Sequence, residues 1–236
     1  MHMFSPGKGE ARVSELRKTF DSRAQCYDQW IHAICPDYDC ALESLLAALP
    51  PHPHFILELG CGTGNLTVRL AARYPTADIT VVDLAPAMLA VTRAKIGEKT
   101  TRVHYCESDF LSMHFPYTFD CIVSSIAIHH LATKEKERLF ESILRLLVPG
   151  GAFYLMDSVA GATREEDARN YEAWIAHMRA AQLPEEELQG ALKRRRTQDK
   201  CDSLMTQLTL LKKIGFVDLD VIYKRYSIAV FGGRKY

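Results

Sequence analysis

The residues best suited to chemistry stand together at positions 55–64, which read Phe-Ile-Leu-Glu-Leu-Gly-Cys-Gly-Thr-Gly. The apolar run that contains Glu58 predicts a short strand buried on both faces. Three alternating glycines, Gly60, Gly62 and Gly64, follow it, and helical spacing begins after them. A strand, a glycine turn and a helix N-terminus in this order let a ligand approach the backbone closely. The stretch therefore predicts a ligand-binding loop.

The glycine spacing separates two classes of nucleotide-binding loop. A dinucleotide loop needs a sixth-position glycine in G-x-G-x-x-G, whereas Asn65 and Thr67 occupy the two positions where it could stand. The pattern E-x-G-x-G-x-G instead resembles the nucleoside-binding loop of class I S-adenosylmethionine-dependent methyltransferases. A purely structural glycine turn is the alternative that these residues alone leave open.

Acidic residues follow the next two predicted strands. Asp83 lies about twenty positions beyond the glycine loop, where nucleotide-binding α/β folds place a carboxylate on the ribose hydroxyls. The resemblance assigns Asp109 to the adenine amino group and Phe110 to the adenine ring. The alternatives are helix capping by Asp83 and a polar turn with a core phenylalanine at 109–110.

Two histidines follow the fourth predicted strand. Residues 119–131 resemble the family segment F-D-x-V-x-x-x-x-x-x-H-x-L, and the L-x-P-G-G turn at 147–151 is also typical of the family. The resemblance places His129 and His130 near the methyl group of the donor, where one of them could act as a general base. Shaping the pocket or capping the next helix is the alternative role.

The resemblance implies S-adenosylmethionine as the cofactor, S-adenosylhomocysteine as its product, and a methyltransferase reaction. The catalytic candidates are His129 and His130, and Tyr27 and Tyr38 are weaker candidates for orienting the substrate. The residues assigned to cofactor binding are Tyr27, Glu58, Gly60, Cys61, Gly62, Gly64, Asp83, Leu84, Met88, Asp109, Phe110, Ser124 and Ser125.

The substrate class rests on motifs that are missing. The fourth strand is not followed by [D/N]-P-P-[Y/F], and the chain has no Pro-Cys pair, so two signatures of nucleic-acid methylation are absent. We therefore expect methyl transfer to oxygen, nitrogen or carbon of a small molecule, by in-line displacement at the methyl group.

Two alternative functions stay open. Residues 20–21, 35–38, 193–196 and 227–233 resemble enzymes that transfer a carboxymethyl group to a tRNA wobble uridine, in which a cationic residue holds the carboxylate of the donor. In that case the basic run at 193–196 and Lys200 would contact phosphates. A catalytically silent protein that binds the cofactor is the other alternative, because fold does not imply function.

The order of the predicted elements, together with the resemblance, indicates one α/β domain. We expect a doubly wound, seven-stranded, mostly parallel sheet with an antiparallel last strand, as in the Rossmann-like methyltransferase fold. Its segments over 1–236 are an N-terminal helical lid (1–50), a cofactor-binding core (51–158), a helical insertion that covers the substrate (161–201), and a last helix with a terminal strand hairpin (202–236).

Local patterns give more detail at both ends of this domain. Helical spacing runs from Val13 to about Leu49, broken near residues 35–36, and places Phe20, Ala24 and Tyr27 on one face. Asp202 is predicted to cap the last helix.

Composition limits the partners. The 236 residues carry 29 basic and 29 acidic side chains, so the net charge is zero, which disfavours nucleic acid and anionic membranes but leaves a local patch open. The seven cysteines form no C-x-x-C pair, which predicts a reducing compartment with no disulfide framework and no metal site. Without a leader or a spanning segment, a cytoplasmic protein with a small-molecule substrate is expected, and a homodimer is compatible with the sequence.

Overall fold

The computed structural model describes residues 8–97 and 102–236, with side chains from residue 12 onward; residues 1–7 of the predicted lid lie outside this part. The helices are α1 (Lys8–Arg23), α2 (Tyr27–Ile34), α3 (Tyr38–Ala47), α4 (Asn65–Arg73), α5 (Pro86–Ile96), α6 (Thr133–Leu146), α7 (Arg164–Ala180), α8 (Glu185–Thr197) and α9 (Leu204–Ile214), with a short 3-10 helix at Ile128–His130. The strands are β1 (Phe55–Leu59), β2 (Asp78–Asp83), β3 (Val103–Glu107), β4 (Phe119–Ser125), β5 (Leu147–Ser158), β6 (Phe216–Arg225) and β7 (Ile228–Lys235).

The strands form one seven-stranded sheet in the order β3-β2-β1-β4-β5-β7-β6. β7 runs antiparallel to β5 and β6, and the other neighbouring pairs are parallel. The predicted fold class is confirmed. The strand order reverses between β1 and β4, and ligands of such open sheets bind at the carboxyl ends of the strands beside this reversal.

Apolar side chains cover both faces of the sheet. Successive residues of a strand point to opposite faces, so Ile56 packs in the layer that contains α3, and Leu57 packs in the layer that contains α6. Both side chains are fully buried. This burial on both faces explains why the strands are continuous apolar runs rather than alternating ones.

The described part of the N-terminal segment, which we call the lid after its predicted role, forms three helices, not the two that the spacing predicts. α1 ends at Arg23 and α2 begins at Tyr27, where the amide of Cys26 donates to the carbonyl of Arg23 at 3.1 Å. Ala24 and Tyr27 are nevertheless both buried, because the turn keeps them on the inner side of the lid. The apolar spacing thus predicts the buried face correctly, whereas the prediction of one unbroken helix from Val13 to the break near residues 35–36 is wrong.

The L-x-P-G-G segment belongs to β5 rather than to a turn before it. Leu147 is fully buried and pairs with Phe119 of β4, and the register shifts before Ala152 pairs with Cys121. Gly150 has φ of +77° and supplies the local bend.

Asp202 does not cap α9, because its carboxylate is engaged elsewhere. The hydroxyl of Ser203 accepts from the amide of Thr206 at 3.1 Å and caps the helix instead. Asp202 accepts from the ammonium of Lys136 and from the hydroxyl of Thr133, both at 2.7 Å. The Lys136 side chain is 0% exposed, so the carboxylate of Asp202 provides the counter-charge for a buried ammonium.

None of the helices in the described ranges is long and apolar enough to cross a membrane.

We expect Asp202→Ala to lower the free energy of unfolding by about 3 kcal/mol, because it leaves the buried ammonium of Lys136 unpaired. Urea denaturation measures the change. Lys213→Ala is the matched control, since its pair with Glu137 lies on the surface with the lysine 71% exposed, and it should cost no more than about 0.5 kcal/mol. Equal costs for the two variants would contradict this account of the buried pair.

Candidate functional site

A cavity of about 700 Å³ opens at the carboxyl ends of β1, β2 and β4, and we call it the loop cavity because the glycine loop lines it. The predicted cofactor residues that line it are Tyr27, Glu58, Gly60, Cys61, Gly62, Asp83, Leu84, Met88, Phe110 and Ser125. Tyr38, a candidate for orienting the substrate, also lines it. The lining residues that sequence reasoning did not assign are Leu16, Phe20, Thr63, Asn65, Leu66, Ile126 and Ala127.

Three of the residues assigned to cofactor binding do not line the loop cavity, and their contacts are with other parts of the protein. Gly64 precedes α4 with φ of +83°, and a side chain there would meet Thr92 at 2.7 Å. The buried hydroxyl of Ser124 donates to the carbonyl of Leu59 at 2.8 Å and so ties β4 to β1. Asp109 accepts from the amide of Leu111 at 3.0 Å within a turn.

Glycine is favoured at positions 60 and 62 of the loop for different physical reasons. A side chain at Gly60 would collide with that of Ala127 in the segment after β4. At Gly62 an added Cβ would meet only Tyr27, at 3.9 Å, so a larger side chain would extend into the loop cavity. Gly62 also has φ of +54°, a conformation that favours glycine. Its lack of a side chain keeps space free for a ligand.

Asp83 joins the two loops that border the cavity. One carboxylate oxygen accepts from the amide of Gly62 at 2.8 Å, and the other accepts from the amide of Ala85 at 2.9 Å. Burial raises the pKa of Asp83 to about 6, although these backbone donors oppose the shift. A carboxylate offers about four lone-pair positions, so acceptor capacity remains for a ligand in the cavity.

Glu58 and Asn65 bring buried polar atoms to the same cavity. Glu58 is 1% exposed and accepts from the hydroxyl of Thr67 at 2.7 Å. Burial, with a smaller contribution from the charge of Asp83, raises the pKa of Glu58 to about 8. The amide nitrogen of Asn65 is buried and makes no hydrogen bond of good geometry with the described residues, although it acts on the side chains of Asp28 and Tyr38, where it favours the charged forms.

His129 forms a buried acid–base pair beside the loop cavity. Its Nδ1 lies 2.6 Å from Asp157 at the end of β5, and its Nε2 lies 3.8 Å from Asp199. Burial lowers the pKa of His129, but the charges of the two carboxylates outweigh it, and the pKa is raised. Sequence reasoning missed both carboxylates. Asp157 could have been found by the strand-end argument that identified Asp83.

His130 has the opposite electrostatic environment. Its Nδ1 lies 3.4 Å from Asp199, beyond good hydrogen-bond geometry, and has no hydrogen-bond partner among the residues that the structure describes. Burial, followed by the neighbouring His129, lowers the pKa of His130. The ring is therefore neutral at neutral pH.

The two histidines face a second space, which we call the cover chamber. It consists of two cavities of about 580 and 510 Å³ between the lid and the helices α7 and α8, and His129 and Asp199 line both. His130 lines the smaller one. Phe20 and Tyr27 line both that cavity and the loop cavity, while Ile126 lines all three. The chamber and the loop cavity are therefore neighbours.

The helical insertion closes this chamber over the lid. The indole nitrogen of Trp174 in α7 donates to the carbonyl of Ile34 at 2.6 Å. Arg23 at the end of α1 pairs with Glu187 of α8 at 2.8 Å. These contacts join the two covering segments to each other.

The histidine cluster also has the residue types of a metal site. Among the described residues, His129, His130 and Asp199 form a group whose potential ligand atoms lie within 4.8 Å of one another. The guanidinium of Arg195 interacts with both His129 and Asp199 and already provides positive charge there. The group fits an acid–base cluster better than a cation site.

Glu58→Gln should stabilise the protein at high pH. Between its ordinary value of 4.5 and about 8, folded Glu58 holds a proton that the unfolded chain has released, so the wild type loses stability as pH rises through this window. At about pH 9 we expect the variant to be more stable by at least ~1.4 kcal/mol, which corresponds to one pKa unit, and the pH-dependent gain to vanish below about pH 4.5.

Urea denaturation across this pH range tests the expectation. The exposed Glu43→Gln on α3 is the control and should give no such gain. A Glu58→Gln variant that follows the wild type at every pH would contradict the buried acid.

Known proteins resemble this chain in sequence and in fold. Residues 56–151 match the family described as "Methyltransferase domain". An uncharacterized methyltransferase of Anoxybacillus flavithermus is 32% identical over 169 residues, which cover 69% of this chain and 74% of that protein. Demethylmenaquinone methyltransferase of Thermus thermophilus is 34% identical over 111 residues, which cover 47% of this chain and only 50% of that relative.

A solved structure agrees with the fold. N-methyltransferase NodS from Bradyrhizobium japonicum, in complex with S-adenosyl-L-homocysteine, superposes with a TM-score of 0.64 at 16% identity, and the match covers 93% of this chain and 97% of that one. At this identity the likeness shows the fold alone. Together with the identity to the Anoxybacillus protein over most of its length and the E-x-G-x-G-x-G loop on a cavity, it establishes that the chain belongs to the class I S-adenosylmethionine-dependent methyltransferases.

Proposed function

We propose that this protein transfers a methyl group from S-adenosylmethionine to a small-molecule acceptor held in the cover chamber. The observation that carries the proposal is the junction of Gly62 and Asp83, which forms one wall of a cavity that adjoins a second, covered chamber. When bound, the cofactor supplies a methyl group made electrophilic by its sulfonium.

The residues of the loop cavity fit that cofactor. Gly62 leaves space at the backbone, and Asp83 keeps acceptor positions for the ribose hydroxyls. Phe110 gives an apolar surface for the adenine ring. The unpartnered amide nitrogen of Asn65 is a donor suited to the carboxylate of the cofactor. We propose these roles for the four residues.

The boundary between the two spaces would align the reactants and exclude water. Phe20, Tyr27 and Ile126 lie there, and the rings of Phe20 and Tyr27 meet edge to face at 6.4 Å. Holding the two reactants in line can contribute about 7–11 kcal/mol in favourable cases. Beyond this alignment, methyl transfer needs little further catalysis unless the acceptor must lose a proton.

For an acceptor that must lose a proton, we assign the general base to His130. Its pKa is lowered, so the ring is neutral at neutral pH. Because Nδ1 faces the carboxylate of Asp199 at 3.4 Å, Nε2 is the nitrogen that can accept a proton. His129 is held by Asp157 and keeps the neighbouring ring in place, with the two ring centroids 4.1 Å apart. His129 then acts as a positioning residue.

A small acceptor suits the chamber. It lies between the lid and the helices α7 and α8, and apolar side chains such as Ile34 and Trp174 line both of its cavities beside a few polar groups. The named activity of the Thermus relative, on demethylmenaquinone, is also methylation of a small molecule. In the basic run at 193–196, Arg194 and Arg195 line the chamber and so are turned away from a nucleic acid at the surface. Of these four residues, only Lys193 and Arg196 are exposed. This supports a small molecule over tRNA.

Asp83→Asn should weaken the binding of S-adenosylhomocysteine at least about tenfold, because a good acceptor for two hydroxyls becomes a single carbonyl. Isothermal calorimetry measures the affinity. For the wild type, affinity should also fall as pH is lowered through about 6, where Asp83 takes up its proton, and this step should be missing in the variant.

Asp78→Asn, at the opposite end of the same strand, is the matched control, since Asp78 pairs with Arg102 and His104 away from the cavity. Equal affinities for Asp83→Asn and the wild type would remove the proposed ribose contact.

His130→Gln should reduce turnover at least about 100-fold for an acceptor with an ionisable hydroxyl, while leaving the affinity for S-adenosylhomocysteine unchanged. Production of S-adenosylhomocysteine over a panel of metabolites first identifies an acceptor and then gives the rate. His104→Gln on β3, with the histidine exposed, is the control. Full activity of His130→Gln would rule out the assigned base, and no turnover with any acceptor would favour a catalytically silent protein.

A further inference from the structure

Arg194 brings a positive charge into the cover chamber without a matching negative one. It lies in the last turn of α8 and lines the smaller cavity, next to the loop cavity. One of its terminal nitrogens is buried with no hydrogen-bond partner, and no carboxylate lies within 4.0 Å of the guanidinium among the residues described. Burial, and then the charge of Arg23, lower the pKa of Arg194.

Two carboxylates act on Arg194 from a distance, and each lies closer to another side chain. Glu187 pairs with Arg23 at 2.8 Å. Asp199 lies 3.4 Å from His130 and 3.8 Å from His129. A partly buried cation with an unsatisfied donor is costly for a folded protein, so an anionic group bound beside it would be stabilised.

Trp30 adds a second donor at the same place. The guanidinium of Arg194 lies 4.6 Å from the centre of the Trp30 ring, and that of Arg23 lies 4.7 Å from it. The indole nitrogen of Trp30 is buried and has no partner among the described residues. The two neighbouring side chains thus have two unpartnered donors, one of them charged. A hydrogen-bond acceptor with negative charge would satisfy both.

Much of the rest of the lining is apolar, with Phe20, Ile34, Ile126 and Trp174 around the same cavity. Its other polar members are Thr19, Arg23, His129, His130 and Asp199. A ligand that satisfies both parts of the lining has an apolar body and one anionic group.

We propose that Arg194, with the indole nitrogen of Trp30, binds a carboxylate carried by the methyl acceptor, so that the acceptor is a small apolar carboxylic acid. The inference rests on the proposed function and names its substrate class. Arg194 is a specificity-determining residue here and takes no part in bond making. A guanidinium donates two parallel hydrogen bonds to a carboxylate. An amide ligand of the same shape carries no negative charge and should therefore bind the guanidinium more weakly.

The test uses benzoate, 4-hydroxybenzoate, phenylacetate and octanoate, each titrated by calorimetry onto the protein loaded with S-adenosylhomocysteine, and then the corresponding four amides. We expect at least one carboxylate to bind at least tenfold more tightly than its amide. Arg194→Gln should lose that preference, and Arg194→Lys should keep part of it. Arg196→Gln, exposed on the same helix, is the matched control and should behave as the wild type.

Two results would overturn the proposal directly: no carboxylate of the panel prefers the wild type over its amide, or Arg194→Gln binds them as the wild type does. Binding of S-adenosylhomocysteine is measured first on the wild type. Its absence would refute the proposed function, whereas cofactor binding without carboxylate binding would refute only the substrate class.

The same variants distinguish the carboxylate of the acceptor from one on the donor. If Arg194→Gln weakens S-adenosylhomocysteine tenfold but leaves 5′-methylthioadenosine unchanged, the guanidinium serves the donor and the proposal is wrong. In the empty protein the guanidinium of Arg194 has, among the described residues, only its contact with the Trp30 ring, so Arg194→Gln should cost little stability. A fall in Tm of more than about 5 °C would make it a structural residue and would also overturn the proposal.

Discussion

The contact between the carboxylate of Asp83 and the amide of Gly62 holds the site together. It joins the loops after β1 and β2 across the reversal of strand order, and it places a buried acceptor beside a residue without a side chain. The raised pKa of Asp83 is the consequence of that burial. A buried carboxylate that keeps free lone pairs over an open cavity is more useful to a ligand than to the fold, because its remaining capacity is satisfied only when something binds.

The loop cavity and the cover chamber are built by different parts of the chain. The sheet and its glycine loop form the loop cavity, to which we assign the donor. The lid and the insertion, held together through Trp174 and Ile34, form the cover chamber, to which we assign the acceptor. The two reactants are thus assigned to separate parts of one fold.

Much of this arrangement could be predicted from local patterns. Buried parallel strands appear as apolar runs, and the residues at their ends, such as Glu58 and Asp83, are identifiable because the strands end together at one edge of the sheet. The identity of the cofactor comes from the resemblance. In the glycine loop, Gly62 opens onto the cavity, whereas Gly60 and Gly64 are required by packing, so binding of the cofactor by the loop stays a prediction.

The remaining features depend on contacts between distant residues, which spacing does not encode. Asp202 has the residue type and position of a helix cap, yet a buried lysine sixty-six residues earlier takes its carboxylate. The basic run in α8 has the composition of a solvated face, but Arg194 points inward because Trp30 of α2 lies beneath it. The pairing of His129 with Asp157 joins two elements that no local pattern connects.

The most direct test of the central claim is a crystal structure of the protein with S-adenosylhomocysteine. The account predicts the nucleoside in the loop cavity, with both ribose hydroxyls within hydrogen-bond distance of Asp83, the adenine ring against Phe110, and the sulfur facing Ile126 at the boundary with the cover chamber. A nucleoside bound elsewhere, or one in the loop cavity whose hydroxyls avoid Asp83, would contradict it.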